Sequence, residues 1–319
     1  MVDDHNRILE SWVDDRASDC CSWYQVECNT ITGQVIDLSL SDLLYRSTPI
    51  LNFSLFQPFE ELQSLNLSFN YFKGWVDNSE SLKQLKILDL GWNNFNSSIL
   101  PCLTRLTSLR TLILGGNNLK DFNTKQGAGL ANLRNLKFLD LSSNGINGTL
   151  QELEGLKQLK ILYLSWNNFN SSILPCLTRL TSLKTLILHG NNHKDFNMKQ
   201  GAGLVNLRNL EFLDLSNNGI SGTLQELEIC QLKTLIELDL SQNSFEGHLP
   251  TCLNNLTNLR ALDLSINKLN GNISSAIQNL TSLEYLILEL NNFEGLFSFS
   301  SLANLSKLEI FRLSTRNRS

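Results

Sequence analysis

Histidines, cysteines and regularly spaced aspartates are the residues of this sequence best suited to chemistry. The four histidines, His5, His189, His193 and His248, fit no zinc-binding spacing, and His189 and His193 straddle the end of a predicted strand rather than sharing a helix face. The sequence also contains no nucleophile elbow and no phosphate-binding loop. It therefore predicts no catalytic residue, no metal site and no cofactor.

The seven cysteines divide into an N-terminal group and a dispersed group. Cys21 and Cys28 are seven residues apart and suit a local disulfide, which indicates an oxidising compartment. Cys20 has no evident partner. The other four lie inside repeats, where we predict small buried apolar thiols: Cys102, Cys176, Cys230 and Cys252.

The elements that must position such residues are short repeats. The pattern L-x-x-L-x-L-x-x-N occurs ten times at steps of 23 to 27 residues, and its central x-L-x-L-x predicts a short strand. Each copy ends in an asparagine whose amide can satisfy backbone groups at the strand's corner, so we expect a buried asparagine ladder. Its members are Asn70, Asn93, Asn117, Asn144, Asn167, Asn191, Asn218, Asn243, Asn267 and Asn291.

A unit of about 24 residues cannot bury its own leucines and must stack on its neighbours. The sequence therefore predicts an α/β solenoid, a horseshoe with a concave parallel sheet and short 3-10 helices or loops on its convex side. We expect an N-terminal cap over residues 1–32, 11 to 12 repeats over 33–313, and a short end over 314–319. Residues 85–154 and 159–228 match at an offset of 74 residues, which indicates a three-repeat duplication.

Charge and hydropathy exclude several classes of partner. The net charge is -5 and the pI about 5.5, with Lys and Arg scattered through the repeats, so nucleic acid is not an expected partner. No apolar run approaches the ~18 residues of a membrane helix. The first residues do not resemble a signal peptide. As written, the sequence is expected to have neither export signal nor anchor.

Recognition is the use that a rigid repeat surface favours, because outward side chains form an ordered array. Exposed aromatic residues on such a surface are favoured interface anchors, although each Trp could instead pack over the sheet edge. The aspartates of the L-D-L motif are either a solvated stripe or part of a site. The predicted ligand-binding residues are Phe69, Asp89, Trp92, Asp140, Tyr163, Trp166, His189, Asp214, Asn217 and Tyr285.

Several motifs resemble those of plant extracellular leucine-rich repeat proteins. The N-terminal Asp-Cys-Cys-Ser-Trp at 19–23 with Cys28, followed by Thr-Gly-Gln-Val-Ile-Asp-Leu at 32–38, is similar to that family's cap. Phe-Glu-Gly-His-Leu-Pro at 245–250 resembles its L-x-G-x-I-P extension, which implies a second small sheet along one flank. The repeats are most similar to receptor-like proteins, which carry such an ectodomain on one membrane helix without a kinase.

The resemblance implies a cell-surface or apoplastic protein whose concave face binds a peptide, glycan or protein ligand, with a possible co-receptor kinase as partner. It also implies a longer cap helix whose additional Cys would pair with Cys20, and C-terminal parts that follow the repeats, so we expect a truncated form. The alternatives are a secreted polygalacturonase-inhibitor-like protein and a cytosolic scaffold.

Ten Asn-x-Ser/Thr sequons agree with a secretory protein. Asn66 falls within a strand of the ligand face and is not expected to carry glycan. The N-glycosylation candidates are Asn52, Asn96, Asn147, Asn170, Asn255, Asn272, Asn279 and Asn304.

Overall fold

The computed structural model describes residues 12, 19–43, 50–76, 82–122, 127–191, 204–294 and 302–314. The chain divides into two units, residues 1–146 and 147–319. Within each unit, consecutive repeats pair through short parallel strands, which confirms the predicted leucine-rich repeat solenoid. Among the described residues, no helix is long and apolar enough to cross a membrane.

The described residues of the first unit form eight strands. They are β1 Val26–Cys28, β2 Val35–Ser39, β3 Ile50–Asn52, β4 Ser64–Asn66, β5 Gly74–Val76, β6 Ile87–Asp89, β7 Thr111–Ile113 and β8 Phe138–Asp140. Strand β1 pairs antiparallel with β2, and the main sheet continues through the parallel strands β4, β6, β7 and β8. Strands β3 and β5 pair separately.

In the second unit, the residues that the structure describes form eleven strands. They are β9 Ile161–Tyr163, β10 Thr185–Ile187, β11 Phe212–Asp214, β12 Ser221–Gly222, β13 Glu237–Asp239, β14 Ser244–His248, β15 Ala261–Asp263, β16 Lys268–Gly271, β17 Tyr285–Ile287, β18 Asn292–Phe293 and β19 Ile310–Arg312. The main sheet of this unit is parallel, in the order β9, β10, β11, β13, β15, β17, β19, and a second sheet has the order β12, β14, β16, β18.

Short helices complete the repeats, as predicted. Those that follow a strand return apolar side chains to the core; Ile173 and Leu177, for example, are fully buried. The 3-10 helix Cys20–Ser22 instead precedes β1, in the cap, and has no buried residue. The α-helices are α1 Leu100–Leu103, α2 Leu174–Leu177 and α3 Ser274–Ile277. The 3-10 helices are Cys20–Ser22, Phe53–Phe56, Ser97–Ile99, Gly127–Asn132, Gln151–Leu153, Ser171–Ile173, Leu204–Asn206, Ile229–Gln231 and Thr251–Asn255.

The core is a set of leucine columns that the strand register aligns. In the second unit Leu186 lies between Leu162 and Leu213 across β9, β10 and β11, and all three are buried. The residues on either side of each central leucine face outward, because side chains alternate along a strand. One small sheet consists of β3 and β5, and another consists of β12, β14, β16 and β18. They correspond to the second small sheet that the family resemblance implied.

The asparagines that end the repeats form the ladder. Asn218 is fully buried; its Nδ2 donates to the carbonyls of Leu188, Leu215 and Ser216 at 2.8–3.1 Å, and its Oδ1 accepts from the Asn191 N–H at 2.9 Å. Nine of the ten ladder asparagines are buried, and Asn117 is half-buried. Within each unit, these side chains therefore link their own corner to the preceding repeat.

The residue before each ladder asparagine has a left-handed backbone. Ten such corner residues have φ between 52° and 72°, a region that costs a non-glycine residue about 1 kcal/mol or more. Six of the eight that carry a side chain are exposed, and Ser143 and Asn217 are half-buried. They are Phe69, Trp92, Gly116, Ser143, Trp166, Gly190, Asn217, Gln242, Ile266 and Leu290.

Two disulfides are present among the described residues. Cys21 and Cys28 are joined in the cap, and Cys230 is joined to Cys252. The prediction of buried thiols at Cys230 and Cys252 is therefore wrong. Adjacent repeats place their 3-10 helices side by side, so the helix that begins at Ile229 and the one that begins at Thr251 bring these cysteines within bonding reach. Cys176 is a buried thiol, and Cys102 is half-buried.

Replacing a ladder asparagine should destabilise the protein. Asn218→Ala leaves the Asn191 N–H and the Leu188 carbonyl buried without their side-chain partner, and we expect a loss of about 3 kcal/mol or more in the free energy of unfolding. Urea unfolding followed by circular dichroism measures it. Asn209→Ala, whose exposed amide makes one contact with the Thr181 carbonyl, is the control and should change stability by less than about 0.5 kcal/mol. Equal losses would disprove the ladder's structural role.

The second disulfide should be chemically detectable. Digestion without reductant should yield linked peptides that contain Cys230 and Cys252, while Cys176 stays unlinked. The double variant Cys230→Ser/Cys252→Ser should lose about 3 kcal/mol of stability, because the bond closes a loop of some twenty residues. Alkylation of both cysteines without reductant in folded, secreted protein would rule the bond out.

Candidate functional site

An open cavity of about 510 Å³ lies on the outward face of the main sheet in the second unit. The first and third residues of six consecutive strands, β9 to β17, supply most of its lining. Because the strands are parallel and in register, residues from different repeats form columns across the sheet. The outward lining residues are Tyr163, Thr185, Ile187, Phe212, Asp214, Glu237, Asp239, Ala261, Asp263, Tyr285 and Ile287.

Three of the ten predicted ligand-binding residues meet in this cavity: Tyr163, Asp214 and Tyr285. The predicted set left out Asp239 and Asp263 because aspartate is the default residue of the repeat at that position, and it also left out Phe212. Comparing the third strand residue of successive repeats would have found Asp214, Asp239 and Asp263 as an unbroken run. The run of aspartates is visible only when successive repeats are aligned, and not within any single repeat.

Each aspartate of the column is held by the turn that follows its strand. The Oδ1 atoms of Asp214, Asp239 and Asp263 accept the backbone N–H two residues further on, each at 2.8 Å. Burial raises the pKa of Asp239, the hydrogen bonds from Ser241 lower it, and the charges of Asp214 and Asp263 raise it further. The column thus concentrates negative charge in a partly desolvated place.

His189 lies beside the cavity in a hydrogen-bond chain. The Ser216 hydroxyl donates to Asp214 Oδ1 at 2.6 Å, and His189 Nδ1 lies 2.6 Å from the same hydroxyl oxygen. Because a hydroxyl has one proton, the Nδ1–H must be the donor to Ser216. This order differs from a Ser-His-Asp triad, in which the histidine accepts the serine proton. The chain therefore orients Asp214 and does not activate Ser216.

The predicted tryptophans occupy corner positions instead of the cavity. In the first unit Trp92 is 58% exposed and stacks on Phe69, with ring centroids 5.7 Å apart. In the second unit Trp166, equally exposed, makes a T-shaped contact with the His189 ring, with ring centroids 5.0 Å apart. Trp166 also lies against the backbone of Gly190, where φ is +72° and a Cβ atom would come 3.0 Å from the indole. Each tryptophan thus covers the next repeat's corner while keeping one part accessible.

The remaining predicted residues lie outside the cavity lining. Asn217 is a half-buried corner residue of the second unit. Asp89 and Asp140 belong to the first unit, where Ile113 lies between them in the column, so the aspartates there are not adjacent. Burial raises the pKa of Asp89, the Gly91 N–H lowers it, and the Asp140 charge raises it.

A metal site is not formed by the cap cysteines. The sulfur atoms of Cys20, Cys21 and Cys28 lie within 4.8 Å of one another. Two of them are joined in the cap disulfide and cannot bind a metal as thiolates. Cys20 alone then offers too few ligands for zinc.

The candidate glycosylation sites lie away from the main-sheet strands. Asn170 is half-buried and the other seven are exposed. Asn52, Asn96 and Asn170 each accept, through Oδ1, the N–H two residues on at the start of a 3-10 helix, which leaves Nδ2 to modification. Asn66, in contrast, ends main-sheet strand β4 and is half-buried.

Neutralising the central aspartate should stabilise the protein at neutral pH. Because the Asp239 pKa is raised in the folded state, its ionised form costs stability above that pKa, and the cost vanishes below the ordinary value of 3.8. Asp239→Asn keeps the acceptor for Ser241. We expect a gain of up to about 0.5 kcal/mol at pH 7 and none at pH 3, measured by thermal unfolding at both pH values.

Asp239→Ala separates charge from hydrogen bonding in this test. Alanine also removes the acceptor for the Ser241 N–H, so this variant should be less stable than Asp239→Asn at both pH values. A stability of Asp239→Asn below that of the unsubstituted protein at pH 7 would contradict the assignment.

Comparison with known protein families agrees with the leucine-rich repeat fold. Residues 1–29 match a leucine-rich repeat N-terminal domain model, and residues 84–106, 158–180, 209–230, 234–256 and 258–280 match a leucine-rich repeat model. A second leucine-rich repeat model matches residues 132–149. Receptor-like protein 14 of Arabidopsis thaliana is 42% identical over 318 residues, which cover 97% of this chain and 30% of that protein. The chain spans about a quarter to a third of the length of the curated relatives that it matches over nearly its whole length.

Two receptors are among the solved structures that resemble the fold of this chain. A TDR receptor superposes with a TM-score of 0.62 at 27% identity, over 89% of this chain and 52% of the other. The leucine-rich repeat ectodomain of the Arabidopsis thaliana receptor kinase GASSHO1/SCHENGEN3, in complex with Casparian strip integrity factor 2, has a TM-score of 0.51 at 26% identity, over 97% and 45%. Repeats and cap agree: the chain is a leucine-rich repeat protein, homologous over nearly its whole length to part of the receptor-like proteins of Arabidopsis thaliana.

Proposed function

We propose that this chain is the ligand-recognition part of a plant cell-surface receptor-like protein, and that the cavity on the outward face of the second unit's main sheet binds a peptide or protein ligand. The cavity carries the proposal, because it combines aromatic and aliphatic walls with a few oriented polar groups, the usual make-up of a binding site. The 42% identity to receptor-like protein 14 supports the receptor role.

The disulfides support a location in an oxidising compartment such as the cell exterior. Bonds of this kind are rare in the cytosol, and this chain has one in the cap and one between neighbouring repeats. They favour an extracellular receptor over a cytosolic scaffold. The exposed sequons at Asn52 and Asn96 are proposed glycan sites that leave the main-sheet strands uncovered.

The rest of the receptor's activity is proposed by homology. GASSHO1/SCHENGEN3 is a membrane receptor kinase whose ectodomain was solved with a bound factor. A co-receptor kinase is the proposed signalling partner of the receptor-like protein of which this chain would be the recognition part. The chain itself supplies recognition, and no catalytic role is proposed for it.

Ligand recognition by the cavity can be tested with a random 12-residue peptide library displayed on phage. Peptides selected on the full chain should bind Phe212→Ala at least tenfold more weakly, because that side chain lines the cavity. Binding is measured by biolayer interferometry on the purified variants.

The duplication supplies a matched control. Phe138 occupies the same repeat position 74 residues earlier and belongs to the first unit. Phe138→Ala should leave binding unchanged, whereas comparable losses in both variants, or none in either, would count against the cavity as the ligand site.

A further inference from the structure

The charge of the cavity in the second unit is one-sided. Four carboxylates line it, those of Asp214, Glu237, Asp239 and Asp263, and none of the described residues that line it is cationic. Two ion pairs lie beside the lining strands: Lys184 with Glu211, which precede β10 and β11, and Arg260 with Glu284, which precede β15 and β17. Within the part of the chain that the structure describes, Asp214, Asp239 and Asp263 make no ion pair, whereas the charge of Glu237 interacts with that of Arg260.

The three aspartates form a straight row with fixed spacing. Asp214 pairs in register with Asp239, and Asp239 with Asp263. Neighbouring strands lie about 4.8 Å apart, so the outer two aspartates are separated by about 10 Å. One oxygen of each is fixed by a backbone N–H. The turns therefore fix the position of each of the three carboxylates.

The corner of a repeat can close without an aspartate at the third strand position. In the first unit Ile113 takes the same strand position between Asp89 and Asp140, and its repeat closes its corner with the same asparagine contacts, made by Asn117. Adjacent like charges are unfavourable across a sheet. The second unit carries three of them side by side within a cavity, an arrangement that a cationic ligand would relieve.

Aromatic side chains flank the row on both sides. Tyr163 lies on β9 and Tyr285 on β17, at opposite ends of the lining, and Phe212 lies on the same strand as Asp214. Aromatic faces attract guanidinium and ammonium groups and pack against the aliphatic stems of Arg and Lys. The walls and the acidic floor thus favour the same kind of side chain.

We infer that the cavity binds an extended peptide segment of the ligand that carries two basic side chains three residues apart. A polyproline II backbone has three residues per turn and rises about 3.1 Å per residue, so side chains i and i+3 point the same way about 9 Å apart. This spacing places one cation at Asp214 and the other at Asp263. The inference rests on the proposed function and specifies the class of ligand.

The peptides selected on the full chain test the inference. Their sequences should be enriched in Arg or Lys pairs at i and i+3 relative to the unselected library. In the tightest binder, replacing both basic residues by Gln should weaken binding at least tenfold, because both carboxylate contacts are lost. Raising the salt concentration from 50 to 500 mM should weaken the basic peptide more than its Gln counterpart.

Matched variants of the protein test the same contacts from the other side. Asp214→Asn/Asp263→Asn keeps the acceptors for the following N–H groups and removes two charges, and it should weaken the basic peptide about tenfold. Asp140→Asn is the control, because Asp140 is the duplicate of Asp214 and makes the same hydrogen bond to the Ser142 N–H. It should leave binding unchanged.

The outcomes separate this inference from the proposed function. Peptides that depend on Phe212 but lack basic pairs, and that bind Asp214→Asn/Asp263→Asn as tightly as the unsubstituted protein, would overturn the cationic ligand while the cavity remains a binding site. If no selected peptide depends on Phe212, both the cavity and the ligand class fail.

Discussion

The corner at the end of each strand is the constraint on which the structure depends. A three-residue strand pairs with its neighbours but leaves the carbonyls of the turning backbone without ladder partners, and buried backbone groups must be hydrogen-bonded. The asparagine amide supplies two donors and one acceptor at that point. In Asn93 the Nδ2 atom reaches the Leu67, Leu90 and Gly91 carbonyls at 2.9–3.1 Å. Because one of these carbonyls belongs to the preceding repeat, closing a corner and stacking two repeats are a single event.

The same corner determines how the outward face is displayed. The asparagine contacts force the residue before it into the left-handed region, whatever its type; even Ile266 has φ 54° there. With the corner fixed, the strand register is fixed, and the first and third strand residues of all repeats align. The cavity is thus a by-product of the repeat geometry, and its chemistry depends on which residues occupy two positions per repeat.

The sequence was sufficient to predict the elements but not their lateral neighbours. The leucine and asparagine spacing predicted the strands, the solenoid and the ladder, because each repeat is locally determined. Cys230 and Cys252 were missed because their contact depends on the lateral alignment of two 3-10 helices, about one repeat apart in sequence. Asp239 was treated as a default residue for the same reason. Its significance comes from Asp214 and Asp263, which lie beside it only after the repeats stack.

The register of the main sheet has an evolutionary consequence. Each repeat contributes one position to every column, so gain or loss of a whole repeat by unequal recombination changes which side chains are neighbours without altering any of them. Loss of the repeat that carries β13 would place Asp214 directly beside Asp263, about 4.8 Å apart, and halve the distance between the ends of the acidic row. The number of repeats between two residues therefore sets the distance between them, and a gain of three repeats would account for the match between residues 85–154 and 159–228.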